Sequence, residues 1–210
     1  MTTTLDAQRG WVWTDVALKA VLVLLLAFSV THIEWEQFAD KAMTARAVLY
    51  PLLVALPALV WLLRGHRRRS GRYPAAAAAL WTVPFVVDVG GNALNLYDTV
   101  EHFDDACHLL NWAMLSGAVG VLLLRSSTLP PWLLLALCTG FGATTAILWE
   151  IGEYGAFILD TPEQLTAYRD TLGDLTLGLT GSLLAGLACA AVRHRQGTTP
   201  TTGPVRRRFP

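Results

Sequence analysis

A short charged segment in the middle of the chain carries residue types that bind metal ions and transfer protons. Read as one helix, Asp98, His102 and Asp105 occupy positions i, i+4 and i+7, so two carboxylates and an imidazole share one face. His108 follows where the apolar stretch 109–124 begins. Because carboxylate oxygens and imidazole nitrogens are ligands of divalent ions, the segment predicts a metal or acid–base site where a helix enters an apolar environment.

Paired acids also occur at two later boundaries of apolar stretches. Glu150 and Glu153 close one stretch with a spacing of i and i+3, and Asp170 and Asp174 open another with a spacing of i and i+4. Both spacings place the two carboxylates on one side of a helix. Three helix ends thus each present paired acids, and a shared site requires that the fold bring these ends together.

The composition identifies the elements that must position these residues. Of 210 residues, 53% are apolar and only 15% are charged, which is atypical of soluble domains. Because a transmembrane helix needs about 20 mainly apolar residues, the sequence predicts an all-α integral membrane bundle of about six transmembrane helices. The predicted spans are residues 15–33, 45–63, 75–91, 108–124, 131–150 and 175–192.

The predicted organisation is a six-span membrane domain over residues 1–195, followed by a disordered cytoplasmic tail over residues 196–210. The tail is rich in Thr, Pro and Arg, which do not form a packed core. Between the last two spans, Thr161-Pro-Glu-Gln164 has the pattern of a capping box with proline at the first helical position. A short outer helix is therefore predicted there.

The distribution of arginine predicts the topology. Arginines lie between spans two and three, between spans four and five, and after the last span: Arg64, Arg67, Arg68, Arg69, Arg72, Arg125, Arg193, Arg195, Arg206, Arg207 and Arg208. The positive-inside rule makes these segments cytoplasmic, so both termini lie inside and the paired acids lie on the extracytoplasmic side. Topology is a sufficient reason for the arginine run, so no nucleic-acid partner is predicted.

The third span contains polar residues that could face a substrate. An ionisable group such as Asp88 is costly inside a membrane and often functional; the alternative is a structural bond to the neighbouring backbone or to Asn92. Gly90 and Gly91 predict a kink or a helix end after Asp88. The residues predicted to line a substrate are Asp88, Asn92, Asn95, Tyr97, Trp149 and Tyr154.

Three motifs carry a resemblance to a known family: Tyr97-Asp98-x-x-x-His102-Phe103, Glu150-x-x-Glu153 and Asp170-Thr-x-x-Asp174-Leu175. In this order, over residues 95–186, the chain resembles the bacterial integral-membrane family typified by inner membrane protein YjdF. It departs from the family pattern at Asp104-Asp105, where a Gln-Gly-like pair is usual, and at Ala167, where an acid is usual. The resemblance implies six or so spans in the bacterial cytoplasmic (inner) membrane, and no established chemistry.

The leading functional prediction is a divalent-metal-dependent enzyme that acts on a membrane-dissolved lipid or isoprenoid diphosphate, such as a terpene cyclase or a lipid-phosphate enzyme. Asp104-Asp105-x-x-His108 and Asp170-x-x-x-Asp174 are similar to acidic motifs of prenyl-transferring and terpene-cyclising enzymes. The predicted ligands of a Mg, Mn or Zn ion are His102, Glu150, Asp105 and His108. The predicted catalytic groups are Asp98, Glu153, Asp170 and Asp174.

Two other classes of function remain open from the sequence. A small proton- or ion-coupled transporter would use Asp88, Glu150 and Asp174 as a relay. A non-catalytic membrane assembly protein would use the acids as a structural network. Metal bound to the purified protein would separate the enzyme prediction from both alternatives, and the sequence indicates no particular oligomeric state.

Overall fold

The computed structural model describes residues 2–65, 72–159 and 161–198, and every regular element in these ranges is helical. The helices are α1 (Thr2–Thr31), α2 (Met43–Gly65), α3 (Ala75–Ala93), α4 (Leu96–Thr99), α5 (Phe103–Ser126), α6 (Pro131–Glu153) and α7 (Ala167–Thr198). A π-helical turn (Tyr154–Ile158) and a 3₁₀ turn (Pro162–Leu165) connect α6 to α7. The all-helical prediction is confirmed for these residues, and the 3₁₀ turn lies where a short outer helix was predicted.

In the part of the chain that the structure describes, five helices are long and apolar enough to cross a membrane. These candidate spans are Asp6–Thr31, Met43–Leu63, Phe103–Arg125, Pro131–Ala156 and Ala167–Gly197. Helix α3 is not among them, because Asp88 and Asn92 lower its hydropathy, and 11 of its 19 residues are buried within the protein. The chain is therefore a multi-pass membrane protein, and crossing by α3 as a sixth span stays a prediction.

Arg125 and Arg193 lie at the end of the bundle opposite the paired acids. Arg193 of α7 donates hydrogen bonds to the carbonyl oxygens of Leu124 (3.2 Å) and Ser127 (2.7 Å) at the end of α5. Arg125 donates to the carbonyl oxygen of Arg72, just before α3 (2.9 Å). These bonds satisfy carbonyl groups that a helix end leaves unpaired. The cytoplasmic placement of this end stays a prediction, and the arginines of residues 66–71 lie outside the described residues.

Helices α5, α6 and α7 approach one another through small residues. A Cβ atom on Gly142 of α6 would collide with the hydroxyls of Ser116 on α5 and Ser182 on α7. A Cβ atom on Gly181 of α7 would collide with the backbone of Leu109 on α5. Small residues let membrane helices pack closely. Helix α7 therefore packs closely against α5, and all three helices meet about two turns from their acidic residues.

The segment from Asp98 to Asp105, which the spacing predicts to be one helix, is interrupted in the structure. Val100 is extended, with φ −115° and ψ 107°, and His102 is left-handed, with φ 63°. Helices α3 and α5 pack side by side, so the chain must reverse direction between them, which a continuous helix cannot do. The prediction that Asp98, His102 and Asp105 share a helical face is therefore wrong.

The C-terminal boundary also differs from the expectation. Helix α7 continues through Gln196–Thr198, three residues into the segment that was predicted to be disordered. Residues 199–210 of the predicted tail lie outside the described residues.

Candidate metal centre

His108 lies at the centre of a group of acids contributed by three helices. It is in the second turn of α5, and its side chain is 7% exposed. Its Nε2 atom is 3.7 Å from Asp104 Oδ1 and 3.7 Å from Asp174 Oδ1, and its Nδ1 atom is 3.7 Å from Glu150 Oε1. Together with Glu153, one turn after Glu150, these residues are called the His108 cluster below.

The spacing of the cluster fits a bound ion better than direct hydrogen bonds. The possible ligand atoms of Asp104, His108 and Asp174 all lie within 4.8 Å of one another, and so do those of His108, Glu150 and Glu153. A distance of 3.7 Å is too long for an N–H···O bond. Two ligands of a tetrahedral zinc ion, each about 2.1 Å from the metal, are about 3.4 Å apart. Either group of three residues could therefore hold a divalent ion.

Within the described residues, the two inner acids of the cluster, Glu150 and Asp174, have no Lys or Arg side chain within ion-pair distance. The side chains of Glu150 and Asp174 are each 6% exposed, and within the described part of the chain their ion pairs are with His108 alone. The buried atoms His108 Nδ1 and Glu150 Oε1 have no hydrogen-bond partner. A buried polar group without a partner costs roughly 1–3 kcal/mol. A cation between these two atoms would offset that cost.

Other acids add to the negative potential. Asp170, one turn before Asp174, is exposed, and it interacts electrostatically with Asp104, Glu150 and Asp174. Glu153 is half-buried, and the negative charges of Glu150 and Asp88 both act on its carboxylate. The predicted catalytic acids Glu153, Asp170 and Asp174 are thus all at or beside the cluster, although nothing in the structure shows their chemical role.

Asp88 belongs to a second network, which contains its own cation. Its carboxylate pairs with Arg46 (Nε–Oδ2 3.1 Å) and accepts hydrogen bonds from the hydroxyls of Tyr50 (2.6 Å) and Tyr97 (3.3 Å). Asn92 donates to the backbone carbonyl of Asp88 (2.9 Å). Burial, reinforced by the Asp88 charge, raises the pKa of Tyr97, so its hydroxyl remains a donor. No local pattern in the sequence indicated that Arg46 is the partner of Asp88.

Three residues predicted for the site lie elsewhere, which corrects those predictions. Asp98 pairs with Lys41 (2.7 Å). His102 is exposed and pairs through Nδ1 with Asp105 (2.8 Å) rather than with His108. The reason is the break before α5, which directs these side chains to the surface. Among the described residues, Asp104 rather than Asp105 lies next to His108 Nε2, at 3.7 Å.

The spacing of residues along α5 indicates that Asp104 lies on the same face as His108. Residues 104, 108, 112 and 116 follow one another at a spacing of four, and His108, Trp112 and Ser116 are all buried. This stripe is the inward face of α5. Asp104 extends the stripe by one turn toward the solvent, whereas Asp105 lies about 100° away around the helix.

The remaining residues that were predicted to line a substrate have contacts outside the His108 cluster. Asn95 is left-handed, with φ 55°, and its buried Oδ1 atom has no hydrogen-bond partner. Trp149 packs against the apolar core formed by α1, α2 and α3. Tyr154 begins the π-helical turn and accepts a hydrogen bond from Gln164 (3.0 Å). A substrate contact for these residues stays a prediction.

Fold and site together define a multi-pass helical membrane protein with a buried histidine–carboxylate cluster at one end. The chain belongs to the family described as "Predicted membrane protein (DUF2238)", whose family model matches residues 16–195. The matched range includes every residue of the His108 cluster and all of α2–α6. No curated protein and no solved structure gives a match.

Proposed function

We propose that the protein binds a divalent metal ion in the His108 cluster and uses it to act on an anionic substrate dissolved in the membrane. The observation that carries the proposal is the pair of buried, unpartnered atoms His108 Nδ1 and Glu150 Oε1, which are 3.7 Å apart. Mg, Mn and Zn are the candidate ions. A dication would offset the repulsion among the carboxylates and fill the coordination that these atoms lack.

The acidic surroundings define what a bound ion would do. A substrate with a phosphate or diphosphate group needs positive charge, and within the described residues the inner carboxylates pair with His108 rather than with Lys or Arg. A bound metal would supply that charge and polarise the phosphate oxygens as a Lewis acid. The favoured reaction class is therefore metal-assisted chemistry on a lipid phosphate or an isoprenoid diphosphate, including a terpene-cyclase type of ionisation.

The arrangement of the acidic motifs supports this substrate class. Asp104 and His108 come from the first motif that is similar to prenyl-transferring enzymes, and Asp174 comes from the second. Their possible ligand atoms lie within 4.8 Å of one another. Asp170 and Glu153 stand beside them as candidate acid–base groups. Metal, substrate and catalytic groups would then meet at the acidic end of three membrane helices.

The cellular placement is part of the proposal. The arginines at one end of the bundle favour a multi-pass protein of the bacterial inner membrane with both termini cytoplasmic. The His108 cluster would then face the extracytoplasmic side, where lipid-linked phosphates could reach it from the outer leaflet. The motifs shared with the YjdF-like family support the same placement.

A proton- or ion-coupled transporter is the second candidate, and the acids buried within the bundle favour it. The proposed relay of Asp88, Glu150 and Asp174 is weakened by the contacts of Asp88, because the fold already engages its carboxylate with Arg46 and with the hydroxyls of two tyrosines. A relay through Glu150, His108 and Asp174 alone would be short and confined to one end. A structural role in assembly would require that the cluster be satisfied without metal.

The experiment is a metal analysis of the full-length protein, purified in mild detergent and exposed to Mg, Mn or Zn. We expect about one ion per chain in the native sequence and none in Glu150→Gln, which preserves shape and removes charge. Incubation of the loaded protein with an isoprenoid diphosphate and with phosphatidic acid tests the two substrate types. Absence of a bound ion from correctly folded protein would overturn the metal proposal, and proton uptake into proteoliposomes without turnover of either substrate would favour the transporter.

A further inference from the structure

The ring of His108 faces two different sets of acids. The Nε2 atom faces Asp104 and Asp174, and the Nδ1 atom faces Glu150, at the same distance of 3.7 Å in all three cases. The two possible three-residue sites both contain His108. An ion on one side of the ring and an ion on the other side are therefore different sites that share one residue.

A neutral imidazole can serve only one of these sites as a ligand. One ring nitrogen carries a proton and donates, and the other has a free lone pair that can accept a hydrogen bond or coordinate a metal. In metalloproteins the protonated nitrogen commonly donates to a carboxylate, which fixes the orientation of the ring. The His108 cluster offers carboxylates on both sides, so the surroundings of the two nitrogens must decide between them.

The surroundings favour Nδ1 as the ligand. His108 Nδ1 and Glu150 Oε1 are both buried and both without a hydrogen-bond partner, and their side chains are 7% and 6% exposed. On the opposite side, the Asp104 side chain is 48% exposed. Asp174 on that side is 6% exposed, but none of its atoms, nor any of Asp104, is among the buried unpartnered atoms of the described residues. Water can therefore reach the Nε2 side beside Asp104, whereas the Nδ1 side needs a group that bonds both buried atoms.

We infer that the ion binds to His108 Nδ1, Glu150 and Glu153, and that Asp174 is a positioning residue that accepts a hydrogen bond from His108 Nε2–H. This inference rests on the proposed metal-binding function. It adds which ring nitrogen of His108 binds the ion, which residues are the other ligands, and what Asp174 does. A short rotation of the ring or of the Asp174 side chain would shorten the present 3.7 Å to hydrogen-bonding distance.

The ligand set also indicates the class of ion. Imidazole nitrogen is a good ligand for zinc and neighbouring transition metals, whereas magnesium is usually bound through oxygen and water. One nitrogen and two carboxylates give three protein ligands, which leaves a fourth position for water or a substrate oxygen. The site is therefore expected to prefer Zn or Mn to Mg.

The test compares ligand variants with positioning variants in full-length protein loaded with cobalt(II), whose absorption spectrum reports its coordination. We expect Glu150→Gln and Glu153→Gln to lose binding or to alter the spectrum. We expect Asp174→Asn to keep the native spectrum and to weaken binding by roughly 10- to 100-fold. Asp98→Asn is the control, since it also exchanges a carboxylate for an amide but at a surface acid that pairs with Lys41.

The outcomes separate this inference from the proposed function. A changed spectrum in Asp174→Asn, with a native spectrum in Glu153→Gln, would place the ion on the Nε2 side and overturn the inference while metal binding stands. Absence of cobalt binding in the native protein would overturn both. If Asp174→Asn does not fold, nitrogen-15 NMR of histidine-labelled native protein with zinc decides the question, because metal on Nε2 would refute the assignment.

Discussion

The network around Asp88 and the His108 cluster are both buried polar groups that contain carboxylates, but only the first contains an arginine as its own cation. Asp88 pairs with Arg46 and accepts hydrogen bonds from two tyrosines. Glu150 and Asp174 are equally buried and face a histidine at 3.7 Å. A buried charge is tolerated when it is paired. Asp88 is therefore satisfied by groups of the fold, whereas the His108 cluster is suited to an added ion.

The largest expected effect follows from removing the cation of the Asp88 network. Arg46→Leu leaves the Asp88 carboxylate buried and uncompensated, which costs roughly 3–5 kcal/mol of stability. The thermal midpoint in detergent should fall sharply. The double variant Arg46→Leu/Asp88→Leu should recover most of the loss, because no isolated charge remains. A single variant as stable as the native protein would show that Asp88 does not depend on Arg46.

The second effect concerns the cluster that lacks a cation. Glu150→Gln should leave the metal-free protein as stable as the native one or slightly more stable, because it relieves repulsion. A saturating ion should raise the stability of the native protein by about 2.7 kcal/mol at 100 times its dissociation constant. The variant should show no such increase. Thermal unfolding with and without zinc measures both, and equal stabilisation of both proteins would contradict the role of Glu150.

The metal-induced stabilisation should also depend on pH. Metal ligands must be deprotonated to coordinate, so protons compete with the ion and binding weakens as the pH falls. Titration of zinc into the native protein at several pH values should give progressively weaker binding toward acidic pH. Affinity that does not change with pH would argue against His108 and the carboxylates as ligands.

A third effect tests the packing that holds the cluster together. Gly142→Ala forces a methyl group into the hydroxyls of Ser116 and Ser182, and overpacking of this kind costs roughly 1–3 kcal/mol. Gly140, on the same helix, has open space at its Cβ position, so Gly140→Ala is the matched control. We expect a lower thermal midpoint and weaker metal binding in the first variant alone. Identical behaviour of the two variants would show that the α5–α6–α7 contact is not tight.

The smallest effect is expected at the exposed acids. Lys41 and Asp98 form a surface ion pair, and such pairs contribute about 0.2–1 kcal/mol. Asp98→Asn should therefore change the thermal midpoint little and leave metal content unchanged. The same holds for His102→Ala, because His102 contacts surface acids. Loss of metal from either variant would return these residues to the site.

The sequence predicted the helices and the three acidic helix ends, because both depend on local spacing. Apolar stretches of sufficient length mark membrane helices in any context. Glu150 and Asp174 could be predicted as site residues because each lies where an apolar stretch meets a charged segment. His108 could be chosen for the same reason, and the structure brings these three residues together.

The errors arose where the answer depends on residues distant in sequence. The break at His102 is required by the packing of α3 against α5, which no local pattern of residues 95–108 reports. The choice between Asp104 and Asp105 depends on which face of α5 meets α7. Arg46 and Asp88 are far apart in the sequence, so their pairing follows only from the packing of α2 against α3.

The ion pair between Arg46 and Asp88 has a consequence for biosynthesis. Placing an aspartate at the centre of a membrane helix costs roughly 2.5–3.5 kcal/mol on insertion scales. Helix α2 is synthesised before α3, so Arg46 is available when Asp88 leaves the ribosome. We expect α3 to enter the membrane together with α2 rather than alone, so that the arginine on one helix determines whether the next is inserted.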